Sequence, residues 1–196
     1  MSGTLTPEPS PRGGGGITYL PFPSGRRQSL ASSHRGRAAP RVSPLPPGEG
    51  PGVRAASHIS ILGASRFRAI PARSTLARWV ALALQRSARI ALVLADARTA
   101  RRLNRTYRQR DYATNVLTFC YQASPIAVAD VVVCVAVARA EARAQGKSLR
   151  AHLAHLVIHG VLHAQGYDHV TARDARRMQA LEIERLAHLR ISDPYA

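Results

Sequence analysis

From residue 57 onward the chain alternates between runs that suit strands and runs that suit helices. SHISILG has β-branched residues at alternate positions and predicts a first strand centred on residues 58–63. Pro71 can open the helix that follows, in which Leu76, Trp79, Val80, Leu82 and Leu84 give a broad apolar face. ARIALVLAD, residues 88–96, reads as a second strand, and Asp96 is placed to cap a short helix from Ala97 to Tyr107. TNVLTFCY (114–121) and ADVVVCVAV (129–137) have the β-branched and aromatic content of two more strands. Alanine-rich VARAEARAQG then predicts a helix closed by Gly146, after which Ser148 can cap a helix from Leu149 to Gln165. A last helix is expected from Thr171 to Leu189. Strands lead and helices finish, so the expected class is α/β (α+β), a small mixed four-stranded sheet covered by helices.

Residues 1–56 show no such periods. They hold ten of the thirteen prolines and ten of the fourteen glycines, and ordering them would cost backbone entropy with little apolar burial in return. They are expected to form a disordered Pro/Gly/Arg-rich extension, with a mis-assigned start codon as the alternative source of such text. Their Pro/Gly density does not suit a signal peptide or an amphipathic transit helix. Residues 57–196 are then a single domain.

Charge narrows the class of partner. Residues 57–196 alone carry 21 basic and 9 acidic residues, a net of +12, which favours a polyanion. No run of about 18 apolar residues is present, so a spanning helix is not expected. Two cysteines, Cys120 and Cys134, are too few for a disulfide framework and suit a reducing, cytoplasmic setting.

HGVLHAQGYDH, residues 159–169, carries the candidate chemistry. In a helix His159 and His163 lie one turn apart and point the same way, so two imidazoles can reach one tetrahedral ion. Gly166 supplies the left-handed residue that ends the helix and lets the chain return His169 to the same place. Three neutral imidazoles leave the fourth position of one zinc ion for water, the arrangement of a catalytic site on a zincin-like histidine helix. A zinc protease helix would read His-Glu-x-x-His, and here the second position is Gly160. His152 and His155 lie on nearly the same stripe and suit supporting or phosphate contacts, or plain solvation, and are left out of the site. Asp168 is a candidate to orient a ligand or take a proton, or simply a turn residue.

A second cluster is cationic. Arg98, Arg101, Arg105 and Arg108 fall on one face of the 97–107 helix, with Arg102 and Arg110 nearby and Tyr107 and Tyr112 interleaved. Guanidinium groups fork onto phosphates and aromatic rings stack on unpaired bases, the footprint expected of single-stranded nucleic acid. A solvated charged face is the alternative for any one such helix.

LNRTYRQRDYATNVLTF, ADVVV, HLVIHGVLHAQGYDH and the terminal ISDPYA together resemble the YbeY endoribonuclease family, in the right order over essentially all of 57–196. The resemblance implies a single-strand-specific, metal-dependent endoribonuclease. Its setting would be late maturation and quality control of the small ribosomal subunit, including the 3′ end of its RNA. It places the family's zinc ligands on His159, His163 and His169 and its functionally important arginine on Arg108. Ala129 departs from the glycine usual before the aspartate of the fourth strand, at a position that affects backbone freedom and not the metal. A metalloprotease with the same zinc geometry is the first rival, and Gly160 and the positive charge count against it. An RNA-binding assembly factor with a structural zinc is the second.

Overall fold

The computed structural model describes residues 57–196 together with the backbone of Thr18 and Tyr19. The rest of the N-terminal segment, expected to be disordered, lies outside the described residues. In chain order the elements are β1 (Thr18–Tyr19), β2 (His58–Leu62), α1 (Arg73–Ala83), β3 (Ala88–Ala95), α2 (Ala97–Arg108), β4 (Val116–Gln122), β5 (Ala127–Cys134), α3 (Val135–Ala144), α4 (Leu149–Ala164) and α5 (Ala172–Ala187). Residues 57–196 supply the four expected strands, and β1 adds two residues beside β4. The sheet order is β1-β4-β5-β3-β2, parallel except for the antiparallel pair β4 with β5.

Two boundaries differ from the sequence pattern. Pro71 stands outside α1, which starts at Arg73 behind Ala72 with no side-chain cap. Val135–Val137, expected to finish a strand, begin α3 instead. Cys134 is at once the last residue of β5 and the residue preceding the helix, so the chain turns from strand to helix without a loop. Valines carry no signal for that change, because β-branched residues are tolerated in a helix that is buried.

The sheet's two faces are covered unequally. Side chains alternate along a strand, so Val116, Ile90, Leu92, Leu94, Val131 and Val133 point to one face and Leu117, Phe119, Val132 and Ala95 to the other. The first set packs against α1, α3, α4 and α5 in the main core. The second meets Leu103 of α2. Helices α2 and α4 therefore lie on opposite faces.

Helix α4 runs through the main core, touching α1, α3, α5, β4 and β5. Leu153, Leu156, Val157, Ile158, Val161 and Leu162 are all buried, each worth about 1.5–3 kcal/mol relative to exposure. Its C-terminal end is pinned as well: buried Gln165 accepts from the Gln85 amide at 2.7 Å and donates to the Ala83 carbonyl at 3.0 Å. A helix held on all sides fixes the direction of the few polar side chains it carries.

Candidate metal centre

Those side chains sit where α4 stops. Ser148 caps its start by accepting from the Ala151 amide at 3.1 Å. At its end Gly166 adopts φ +88°, the Tyr167 amide donates to the Leu162 carbonyl at 3.2 Å, and the Gly166 amide donates to the His163 carbonyl at 3.0 Å. This is the paired closure of a Schellman turn, and it needs a residue without a Cβ penalty in the left-handed region. The turn returns His169 to the last helical turn. His159 and His163 have ring centres 4.4 Å apart, and His169 lies 5.7 Å from the first and 5.0 Å from the second. Each of the three offers a ring nitrogen within 4.8 Å of the others.

Which nitrogen each ring presents is set by its other nitrogen. His163 Nδ1 donates to the Tyr167 carbonyl at 2.8 Å, so the turn that ends the helix also fixes that ring's tautomer. His159 Nδ1 meets Glu182 Oε1 at 2.8 Å. Both Nε2 atoms are thereby turned inward and stand 3.0 Å apart. Two lone pairs so directed repel unless a proton or a cation lies between them, and the nearby His169 makes a cation the better match. Tetrahedral bonds of about 2.0–2.1 Å to zinc separate ligand nitrogens by roughly 3.3 Å, close to what the rings already hold. Burial, and His159 opposite it, push His163 down to about 4, so it stays neutral as a metal ligand must.

Glu182 was not among the residues the sequence pointed to. It lies on α5, fully buried, in line with Met178 and Leu186. An acid in the apolar stripe of a helix was the available signal, since a buried carboxylate needs partners. Burial pushes its carboxyl up, yet hydrogen bonds from His155 and His159 outweigh burial and hold it well below the usual carboxylate range. His155, His159 and Glu182 form a second group able to hold an ion. Their contacts, 2.8 and 3.1 Å from Glu182 to the two rings, are hydrogen bonds that support His159 from outside. A carboxylate behind a ligating imidazole fixes its orientation and raises its basicity.

Gly160 has a steric reason. A Cβ there would stand 2.5 Å from Val131 Cγ1 and 3.2 Å from Val116 Cγ2, both on the buried face of the sheet. The residue after His159 thus faces β4 and β5 and not the three rings, and a glutamate could not be seated. Asp168 serves the turn: its Oδ1 accepts from the His169 amide at 2.7 Å. His152 bonds Glu141 at 2.8 Å through Nε2, away from the three rings.

The arginines are on α2, across the sheet from α4. Asp96 caps that helix by accepting from the Thr99 amide at 2.8 Å. Arg98 and Arg105 are exposed. Arg101 is clasped by Asp111 at 2.7 and 2.9 Å, an acid just beyond the helix that the stripe itself did not reveal. Arg108, in the last turn, is half-buried. Burial lowers its pKa and Arg110 adds to this, while Tyr112 works the other way; a guanidinium so shifted is still a cation. Tyr107 beside it sets its ring edge-on to Phe119 of β4, with centres 5.1 Å apart, so the end of α2 lies over β4. Gly160 and Ala164 of α4 meet the other side of the same strand, through Thr118 Oγ1 and Cys120 Sγ.

Comparison with known proteins agrees on one family. Residues 67–190 match the family model for Endoribonuclease YbeY. The chain is 52% identical over 134 residues to Endoribonuclease YbeY of a Polaromonas species, covering 68% of this chain and 87% of the relative. It is 52% identical over 130 residues to that of Delftia acidovorans, covering 66% and 86%. With that of Bordetella petrii it shares 57% over 111 residues, covering 56% and 72%. A solution structure of a Thermotoga maritima protein is a looser match, at TM-score 0.48 and 24% identity over 67% of this chain and 91% of that one.

Proposed function

The chain belongs to the YbeY family of endoribonucleases, and on that premise we propose that it cuts single-stranded RNA with one zinc ion held by His159, His163 and His169. The observation that carries this is the inward pair of Nε2 atoms, 3.0 Å apart beside His169, with both outer nitrogens already committed to Glu182 and the Tyr167 carbonyl. Zinc so held supplies Lewis acidity toward a phosphate oxygen and a water that ionises near neutral pH.

The chain's own residues do the rest. Arg108, across the sheet from the three rings, neutralises a phosphate of the strand that leads to them. Arg98, Arg101 and Arg105 take backbone phosphates and hold the strand. Glu182 keeps His159 in one tautomer. Because Gly160 leaves no room for a general base beside the ligands, the attacking oxygen is water or the RNA's own 2′-hydroxyl, activated without a glutamate at that position. The resemblance extends the proposal to the small ribosomal subunit in the cytoplasm, with the 3′ end of its RNA among the sites processed. Residues 57–196 form the catalytic domain in this proposal, and 1–56 are an extension to it.

The test is direct. Zinc-loaded protein and its His159→Ala variant are incubated with single- and double-stranded RNA, and the product ends are mapped. The expected result is internal cleavage of single strands that is lost in the variant. Equal cleavage by both proteins would remove the histidines from the chemistry. Cleavage of casein with RNA left intact would make the protein a metalloprotease.

A further inference from the structure

We propose that Tyr195, at the C-terminal end of the chain, is a positioning residue of the metal centre, acting through Glu182 on His159. The proposal rests on the metal assignment above and extends the support of His159 one residue beyond Glu182.

The Glu182 carboxylate is fully buried and accepts three hydrogen bonds. Oε1 takes His159 Nδ1 at 2.8 Å, and Oε2 takes His155 Nε2 at 3.1 Å together with the Tyr195 hydroxyl. No water surrounds a carboxylate at such depth, so its charge and its orientation depend on those donors. Without the hydroxyl, the longer contact from His155 alone would hold Oε2, and the carboxylate would be fixed less firmly about its bond to the side chain. Its other oxygen orients His159. Tyr195 therefore bears on the ligand through two hydrogen bonds in series.

The segment that brings Tyr195 is itself fixed by a few contacts. The Ile191 amide donates to the Leu186 carbonyl at 3.1 Å, continuing the end of α5. Lys147 Nζ donates to the Pro194 carbonyl at 3.0 Å, and the Tyr195 amide donates to Asp193 Oδ1 at 2.8 Å. The Tyr195 ring meets His155 edge-on with centres 5.6 Å apart. Beneath the segment lies a cavity of about 410 Å³ whose walls include Lys147, His152, His155, Ile191 and Pro194. As a residue Tyr195 is 47% exposed, yet its oxygen reaches a carboxylate with no exposure.

The test uses the full chain and two readouts that do not involve RNA. Zinc affinity is measured by competition with a chromogenic chelator, and the coordination of bound cobalt(II) by its visible absorption, for wild type, Tyr195→Phe, Glu182→Gln, the double variant and His159→Ala. Thermal unfolding of the metal-free proteins is followed alongside. Loss of an outer-shell partner typically costs about 10–100-fold in metal affinity, and Tyr195→Phe is expected in that range with an altered cobalt spectrum. Since both residues act along one path, the double variant should bind no more weakly than Glu182→Gln alone. Losses that add fully, or wild-type zinc affinity and cobalt spectrum in Tyr195→Phe, would overturn the proposal. If wild type and His159→Ala bind zinc equally, the metal assignment itself fails and the positioning role falls with it.

Discussion

At the scale of single residues the centre is defined as much by what cannot be present as by what is. Gly160 illustrates this: its neighbour Val131 is a fully buried strand residue with no flexible end to move aside. Gly160→Ala should therefore overpack the helix–sheet contact and cost about 1–3 kcal/mol, seen as a lower unfolding midpoint in denaturant. An unchanged midpoint would mean that the helix can lift from the sheet, and the steric account of the missing glutamate would go. The absence of that glutamate was visible in the sequence, but its cause was not, because Val131 and Val116 are distant in the chain. Glu182 was hidden for the same reason: its partners come from α4 and the C-terminal segment, and only its place between Met178 and Leu186 hinted at a buried charge.

Elements were more legible than the contacts between them. Asp96, Ser148, Gly146 and Gly166 act where the sequence placed them, because a cap or a left-handed residue is a local requirement settled within one turn. The switch from β5 to α3 was not legible, since nothing local separates a buried valine in a strand from one in a helix. Helix α3 is tied across that switch by Glu141, which receives both Asn115 contacts at 3.1 Å and the His152 ring at 2.8 Å. Burial raises the Glu141 carboxyl, but those hydrogen bonds outweigh burial and leave it below its ordinary 4.5. A depressed carboxylate stabilises the fold above the unfolded value and loses that contribution as pH falls through the folded one. Glu141→Gln should thus weaken the protein at neutral pH by about 1 kcal/mol after allowance for its partial exposure. It should also flatten the loss of stability below about pH 4.5, where wild type declines. Parallel stability curves for the two proteins over that range would exclude the role. On α2, the clasp of Arg101 by Asp111 separates arginines that looked equivalent in the sequence. Arg105→Ala should lower the salt slope of RNA binding by about 0.7, the share of one phosphate on a single strand, and Arg101→Ala by less. Asp111→Asn should tighten binding and steepen the slope. A slope unmoved by Arg105→Ala would take this face out of RNA recognition.

For the whole molecule, the placement of α2 and α4 on opposite faces limits the shape of a substrate that can use both. The last turn of α2 and the histidine-bearing turns of α4 lie over the same strand, β4, from its two sides. An RNA that touches Arg108 and reaches the histidines has to pass the β4 side of the sheet, where, among the described residues, the two of β1 extend it. A single strand can follow such a path because it bends at every nucleotide. A base-paired helix cannot, being stiff over many base pairs, about 150 for duplex DNA. Single-strand preference would then come from the topology of the fold and need no contact that reads unpaired bases. The basic charge, +17 over the whole chain, still attracts either form. Binding and cutting should therefore part company: a duplex should bind with a strong salt dependence and yet be cut about 100-fold more slowly than its separated strand, the scale of penalty for a misplaced reacting group. Filter binding and cleavage on the same oligonucleotide, single and annealed, measure both quantities at once. A duplex cut as fast as the single strand would show that the histidines work without the arginine face, and Arg108 would then have to be sought in folding or assembly.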